Sequence, residues 1–150
     1  MTIAQRLRDD RGALSLEAVI LFPVIIMVLL LVVALGRIGS ANNAVDTAAR
    51  NAARAASLER NGGSASSAGQ QMAQMVLGEQ GLQCTATSIS VSTGGFSAPI
   101  GTPASTTATV TCTVRLSDIG LPGLPGAKTM TSSFTSSIDS YRQRADRTSA

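Results

Sequence analysis

The sequence predicts an α+β protein, in which a long N-terminal transmembrane helix extends into a small extracellular domain with a second helix and a three-stranded antiparallel sheet. Three observations predict this architecture. The 19 residues from Ala18 to Gly36 carry no charge. Alanines then recur at three- and four-residue steps, which is typical of a helix face. Later segments alternate apolar and hydroxyl side chains, which is typical of half-buried strands.

The composition excludes several classes of function. A length of 150 residues limits the chain to one modest domain. The chain has no histidine, so triad hydrolases, zincins and zinc fingers are excluded. It has a single lysine, Lys128, and no glycine-rich nucleotide-binding motif. Its 12 basic residues are dispersed and it has four aromatic residues, so we expect no nucleic-acid partner. We also expect no catalytic residues, cofactor, metal or small-molecule substrate.

The first element is the transmembrane helix. As a helix, the uncharged run from Ala18 to Gly36 is about 28 Å long, close to the roughly 30 Å hydrocarbon core of a bilayer. Arg6, Arg8 and Arg11 precede the run and Arg37 follows it. This excess of arginine predicts a single-pass protein of the cell membrane with a cytoplasmic N-terminus and an extracellular C-terminal domain. The run exceeds the roughly 7–15 apolar residues of a cleaved secretory signal, but a plain signal anchor fits equally well.

The segment just before the apolar run carries further information. Residues 11–17 read Arg-Gly-Ala-Leu-Ser-Leu-Glu. An acidic residue within a spanning segment costs about 2.5–3.5 kcal/mol unless it lies near an end or is paired. Glu17 is therefore either paired with a cation or placed at the membrane interface, where it needs no special role. The residues themselves leave both interpretations open.

This segment resembles the processing site of a type IV prepilin, where a prepilin peptidase cuts after a glycine that follows a basic leader. The fifth residue of the mature chain is then a glutamate. The resemblance implies cleavage between Gly12 and Ala13, which makes Glu17 the fifth residue. It also implies that Glu17 neutralises the new α-amino group of a neighbouring subunit in an apolar bundle, so that two buried charges form one pair.

A proline strengthens the resemblance. Glu17 and Pro23 have the E-x-x-x-x-x-P spacing of the TadE-like group in tight-adherence (Tad) pilus systems. Inside a helix, Pro23 removes one backbone hydrogen bond and predicts a kink, which membrane helices tolerate. The resemblance implies a minor pilin or pseudopilin that acts in pilus assembly and can be incorporated into a surface pilus. Its partners would be a prepilin peptidase, other pilin subunits, the membrane platform for pilus assembly and membrane lipid. The alternative is an uncleaved single-pass membrane-anchored extracellular binding or structural module.

Two helical stretches follow the membrane segment. Alanines from Ala41 to Ala56 predict a helix with a small-residue face that would let another helix approach closely. Residues 48–56 also resemble the alanine- and arginine-rich string found after the TadE membrane helix. Asn61–Ser64 should end this helix. A shorter helix is expected over Ser67–Glu79, with its methionines in the core and Gly78 or Gly81 at its end.

The C-terminal part predicts three strands. They are Cys84–Val91, with a bulge near Thr87-Ser88, then Thr107–Leu116 and Lys128–Ile138. Glycine- and proline-rich stretches over 93–105 and 120–126 are expected loops.

The two cysteines complete the prediction. Cys84 and Cys112 both lie on predicted core faces of extracellular strands, so we predict a disulfide, with two buried free thiols as the alternative. Closing this 28-residue interval would stabilise the domain by roughly 3–4 kcal/mol. The chain thus divides into a basic leader (1–12), a transmembrane helix (13–39), a small-residue helix (40–60), a linker and short helix (61–83), a disulfide-stapled β region (84–139) and a flexible tail (140–150).

Overall fold

The secondary structure is that of an α+β protein, which confirms the predicted fold class. The computed structural model describes the backbone of residues 3–115, 117 and 126–141, and within those ranges the side chains from residue 18 onward. Its elements are α1 (Ile3–Ser57), α2 (Gly62–Glu79), β1 (Ala86–Val91), a 3-10 helix (Gly94–Ser97), β2 (Ala104–Arg115) and β3 (Ala127–Ile138). The chain forms two units, one ending at Gly36 and the other beginning at Arg37.

The described part of the first unit is an apolar helix. Among the described residues, α1 is the one helix long and apolar enough to cross a membrane. Its large side chains are exposed, from Val19 at 67% to Val33 at 52%. Since exposed apolar surface of this extent is unfavourable in water, the helix fits a single-pass membrane anchor.

The second unit is built on the alanine face of α1. Because alanine side chains are small, the helix lies close to its neighbours, and residues such as Ala48 and Ala52 are fully buried. The predicted small-residue face is present, but the elements that approach it belong to the same chain. The core cluster joins α1 to α2 and the sheet through these residues: Ala41, Val45, Ala48, Ala49, Ala52, Ala53, Ala73, Val76, Leu77, Ala108, Val110, Cys112, Val114 and Met130.

The second helix starts earlier than predicted. α1 ends at Ser57 and α2 begins at Gly62, because Asn61 caps α2 instead of ending α1. The side-chain oxygen of Asn61 accepts a hydrogen bond from the Ser64 N–H at 2.7 Å, which satisfies a donor that the first turn leaves free. The other end is as predicted, since Gly81 leaves the helix at φ +65°, a conformation that favours glycine.

The sheet has the order β1-β2-β3, and both pairs are antiparallel. The pairing of β1 with β2 runs unbroken from Ala86 opposite Thr113 to Val91 opposite Ala108. The predicted bulge at Thr87-Ser88 is therefore wrong. The change of phase has another cause: Cys84 precedes β1, and Ala86 is exposed on the outer face opposite Thr113, so only Ile89 and Val91 mark the inner face of β1.

The stretch from Thr93 to Ser105 is more ordered than a loop. It contains the 3-10 helix, whose Phe96 is 2% exposed and packs with Ala56, Ala65 and Ile138 in a second core cluster. β2 then begins at Ala104, ahead of the predicted Thr107. Three parts of the predictions lie outside the described residues. They are Leu116 at the end of the second predicted strand, residues 120–125 of the predicted loop, and residues 142–150 of the predicted tail.

Candidate functional site

The predicted processing residues lie in the first part of α1. Gly12, Ala13 and Glu17 fall within the helix Ile3–Ser57, but their side chains lie outside the described residues. The proposed cut and the pairing of Glu17 with an amine therefore stay predictions. Pro23 also lies inside α1. It has no N–H to donate to the carbonyl of Val19, four residues earlier, and the kink expected there stays a prediction too.

The apolar surface on both sides of Pro23 is continuous along the helix. Described residues from Ala18 to Val33 are all exposed, and the largest of them include Phe22 at 67% and Leu30 at 64%. Side chains of this kind favour hydrocarbon over water by about 25 cal/mol for each Å² removed from water. This part of α1 can therefore hold the chain in a bilayer or pack against other apolar helices.

The two cysteines are joined in the predicted disulfide. Cys84 lies between α2 and β1, and Cys112 lies in the central strand β2. Their Cα atoms are 5.4 Å apart, and Cys112 is fully buried. The bond therefore ties the α2–β1 connection to the middle of the sheet. Such bonds persist in oxidising compartments.

A polar cluster joins α1 to β3. The Asp46 carboxylate accepts hydrogen bonds from Ser132 Oγ at 2.9 Å and from Arg50 Nε at 2.8 Å. Arg50 in turn lies over the Phe134 ring, with its guanidinium carbon 5.2 Å from the ring centre, a favourable cation–π contact. The hydrogen bond from Ser132, followed by that from Arg50, lowers the pKa of Asp46, whose ordinary value is 3.8. The sequence spacing of four residues indicates the helical pair but not the strand residues it meets.

The outer face of the sheet is lined with hydroxyl groups. Four threonines of β2 each share a hydrogen bond with a hydroxyl of β3 at 2.8–3.1 Å; the pairs are Thr107 with Thr135, Thr109 with Ser133, Thr111 with Thr131, and Thr113 with Thr129. Ser88 and Ser90 of β1 lie on the same face, opposite Thr111 and Thr109. These side chains link the strands laterally and present an uncharged surface between Thr107 and Thr113.

Chemical groups for catalysis or metal binding are sparse. In the part of the chain that the structure describes, no group of three or more histidine, cysteine, aspartate or glutamate side chains could hold a metal ion. Both cysteines form the disulfide, so neither is a free thiol. The described surface includes an exposed apolar helix and one hydroxyl-lined face of a small sheet.

Comparison with protein families gives a match to the N-terminal part of the chain. The family model described as TadE-like protein matches residues 12–54. This segment is similar to TadE-like proteins. The match confirms the resemblance found in the sequence, and it begins at Gly12, the residue before the predicted cut. No curated protein and no solved structure matches the chain. The TadE-like family suggests a pilin-like protein related to Tad pili and implies interaction with other pilus components. α2 and the sheet lie outside the match.

Proposed function

We propose that this chain is a minor pilin or pseudopilin of a Tad-type pilus, and that a prepilin peptidase cuts it between Gly12 and Ala13. The observation that carries the proposal is the TadE-like match over residues 12–54. It coincides with the part of the chain that the proposal needs, from the glycine before the cut through the apolar helix. The mature protein acts in assembly of the pilus and is not an enzyme.

The orientation follows from charge and from the disulfide. Arg6, Arg8 and Arg11 hold the N-terminal end in the cytoplasm. The disulfide between Cys84 and Cys112 supports an oxidising environment for the second unit. The peptidase therefore acts on the leader at the cytoplasmic side, and the domain that begins at Arg37 is extracellular.

Glu17 is the residue on which incorporation depends. Cleavage leaves a positive α-amino group on Ala13 in or near the hydrocarbon region, where an unpaired charge is costly. A carboxylate from the neighbouring subunit offsets that cost by forming a pair. Other pilin subunits and the assembly platform are then the partners of the apolar helix.

The deciding experiment is intact mass and N-terminal sequencing of the protein from membranes of its own host. We expect a chain that begins at Ala13. Gly12→Val should leave the leader attached, because the cut requires the glycine. Gly36→Ala is the matched control, since an added Cβ there meets nothing within 4 Å, and it should be processed normally. A wild-type chain that keeps Arg11 and Gly12 would refute the proposal and leave an uncleaved membrane-anchored extracellular module.

A further inference from the structure

The two cysteines of the disulfide differ in exposure. Cys112 is 0% exposed and lies in β2, the central strand of the sheet. Cys84 is partly exposed and lies in the irregular stretch between α2 and β1. A thiolate from another molecule breaks a disulfide by attacking one of its two sulfurs, so access decides which of them reacts. In the folded second unit, the accessible cysteine is Cys84.

A surface cleft leads to Cys84. It is open, has a volume of about 370 Å³ and is lined by Gln74, Leu77, Gly78, Leu82, Cys84 and Thr87. Thr87 is also the residue opposite Cys112 in the pairing of β1 with β2, so the cleft lies beside the disulfide. None of the lining residues is charged. An approaching thiolate therefore meets no carboxylate in the cleft that would repel it.

The backbone holds the two cysteines unequally. Cys112 pairs with Thr87 of β1 on one side and with Met130 of β3 on the other. Cys84 lies outside the strands, and the chain joins the sheet only after it, where the Thr85 N–H donates to the Thr113 carbonyl at 2.7 Å. When the disulfide opens, Cys112 therefore stays in place, whereas Cys84 can turn toward another molecule.

We propose that Cys84 is the site at which this disulfide exchanges with a partner protein, a thiol–disulfide oxidoreductase with a Cys-x-x-Cys motif. The thiolate of the partner's first cysteine attacks the sulfur of Cys84. A bond forms between these two sulfurs as the bond between Cys84 and Cys112 breaks. The sulfur of Cys112 leaves with the electron pair and takes up a proton. Cys112 is thus the resolving cysteine, which never bonds to the partner.

The same intermediate serves formation of the disulfide. When the partner is oxidised, the Cys84 thiolate attacks the partner's disulfide, and the partner's second cysteine leaves as a thiolate. The Cys112 thiolate then attacks the sulfur of Cys84 and releases the partner's first cysteine, so the partner ends reduced and this chain oxidised. The inference rests on the second unit alone and does not depend on cleavage of the leader.

The test uses the oxidised full chain in detergent micelles. The probe is a Cys-x-x-Cys oxidoreductase in which the second cysteine is replaced by serine, so that the mixed disulfide accumulates. The reaction is quenched with a maleimide under denaturing conditions, and the linked cysteines are identified by tandem mass spectrometry. We expect the partner on Cys84 and the maleimide on Cys112. The partner on Cys112, or on both cysteines equally, would overturn the proposal.

A pair of glycine variants tests the role of the cleft. Gly78→Leu places a side chain in the cleft, and an added Cβ at Gly78 meets nothing within 4 Å. It should slow formation of the mixed disulfide by roughly tenfold or more, because access limits the attack. Gly94→Leu is the matched control, since Gly94 also has open space around an added Cβ and does not line the cleft. It should react at the wild-type rate.

Dependence on urea separates attack on the folded unit from attack after unfolding. Both variants are first shown to be folded by their thermal unfolding midpoints. Below the unfolding transition, attack at an accessible Cys84 needs no opening of the domain, so the rate should stay nearly constant with urea. A rate that rises in parallel with the unfolding equilibrium would overturn the proposal. An unchanged rate in Gly78→Leu would do the same.

Discussion

Removing the disulfide should lower the stability of the second unit by a calculable amount. The bond joins residues separated by 28 positions. In the chain-entropy model, closing a loop of this length removes about 12 cal/mol/K from the unfolded chain, or about 3.6 kcal/mol at 25 °C. For a unit of roughly 100 residues, unfolding entropy is about 0.2 kcal/mol per degree. We therefore expect the midpoint of thermal unfolding to fall by about 17 °C.

The assay is scanning calorimetry of the full chain in detergent micelles, with and without a reductant. Reduction of the wild type isolates the loop contribution, since no side chain is removed. The double variant Cys84→Ala/Cys112→Ala adds the loss of a fully buried sulfur at Cys112. It should therefore melt below the reduced wild type by an amount that corresponds to about 1 kcal/mol.

A reduced protein that melts within a few degrees of the oxidised one would refute this reasoning. It would mean that residual structure already keeps these residues close in the unfolded chain, so that the disulfide removes little conformational entropy from the unfolded state. The control is Cys84→Ala/Cys112→Ala, which should not respond to reductant.

Three other predictions follow from local geometry and charge. Gly95→Ala should destabilise the second unit by about 1–3 kcal/mol in calorimetry, because its Cβ would meet the Ser105 carbonyl oxygen, whereas Gly94→Ala has open space and should have little effect. Ser132→Ala should raise the pKa of Asp46 in a carboxyl NMR titration. Because that pKa is lowered in the folded state, the stability that Asp46 contributes is present above its ordinary value of 3.8 and is lost below it; an unchanged pKa in the variant would contradict the role of Ser132. Glu17→Gln should leave leader cleavage intact but remove the protein from sheared surface pili.

The elements that sequence reasoning found are those with a strong local signal. The uncharged run beginning at Ala18, the alternation along β2 and the two cysteines each indicate their structure without knowledge of the rest of the chain. The start of α2 was misplaced because Gly62 and Gly63 are poor helix formers. Asn61 overrides that preference by capping the first turn. Phe96 was missed because its neighbours are typical of a loop.

In the candidate site, too, residues close in sequence can be predicted and contacts between distant residues cannot. The residues that resemble a prepilin processing site are adjacent in sequence, so the resemblance alone singles out Glu17 by its spacing from Gly12 and Pro23. The contact between Asp46 and Ser132 joins residues 86 positions apart, and the hydroxyl pairs depend on the register of β2 with β3. Such contacts depend on the register of the strands and on how α1 packs against β3, and neither can be predicted from a local sequence pattern.

The burial of the alanine face limits how copies of this chain can pack through α1. The sequence predicts that another helix approaches that face, because small residues permit close contact. In the second unit, however, Ala48, Ala49, Ala52 and Ala53 are all at 0% exposure, because α2 and the sheet of the same chain cover them. This face is therefore unavailable to a neighbouring subunit unless the domain opens. In the filament proposed above, apolar helix contacts between subunits therefore use the exposed apolar residues before Arg37, in the segment that follows Glu17.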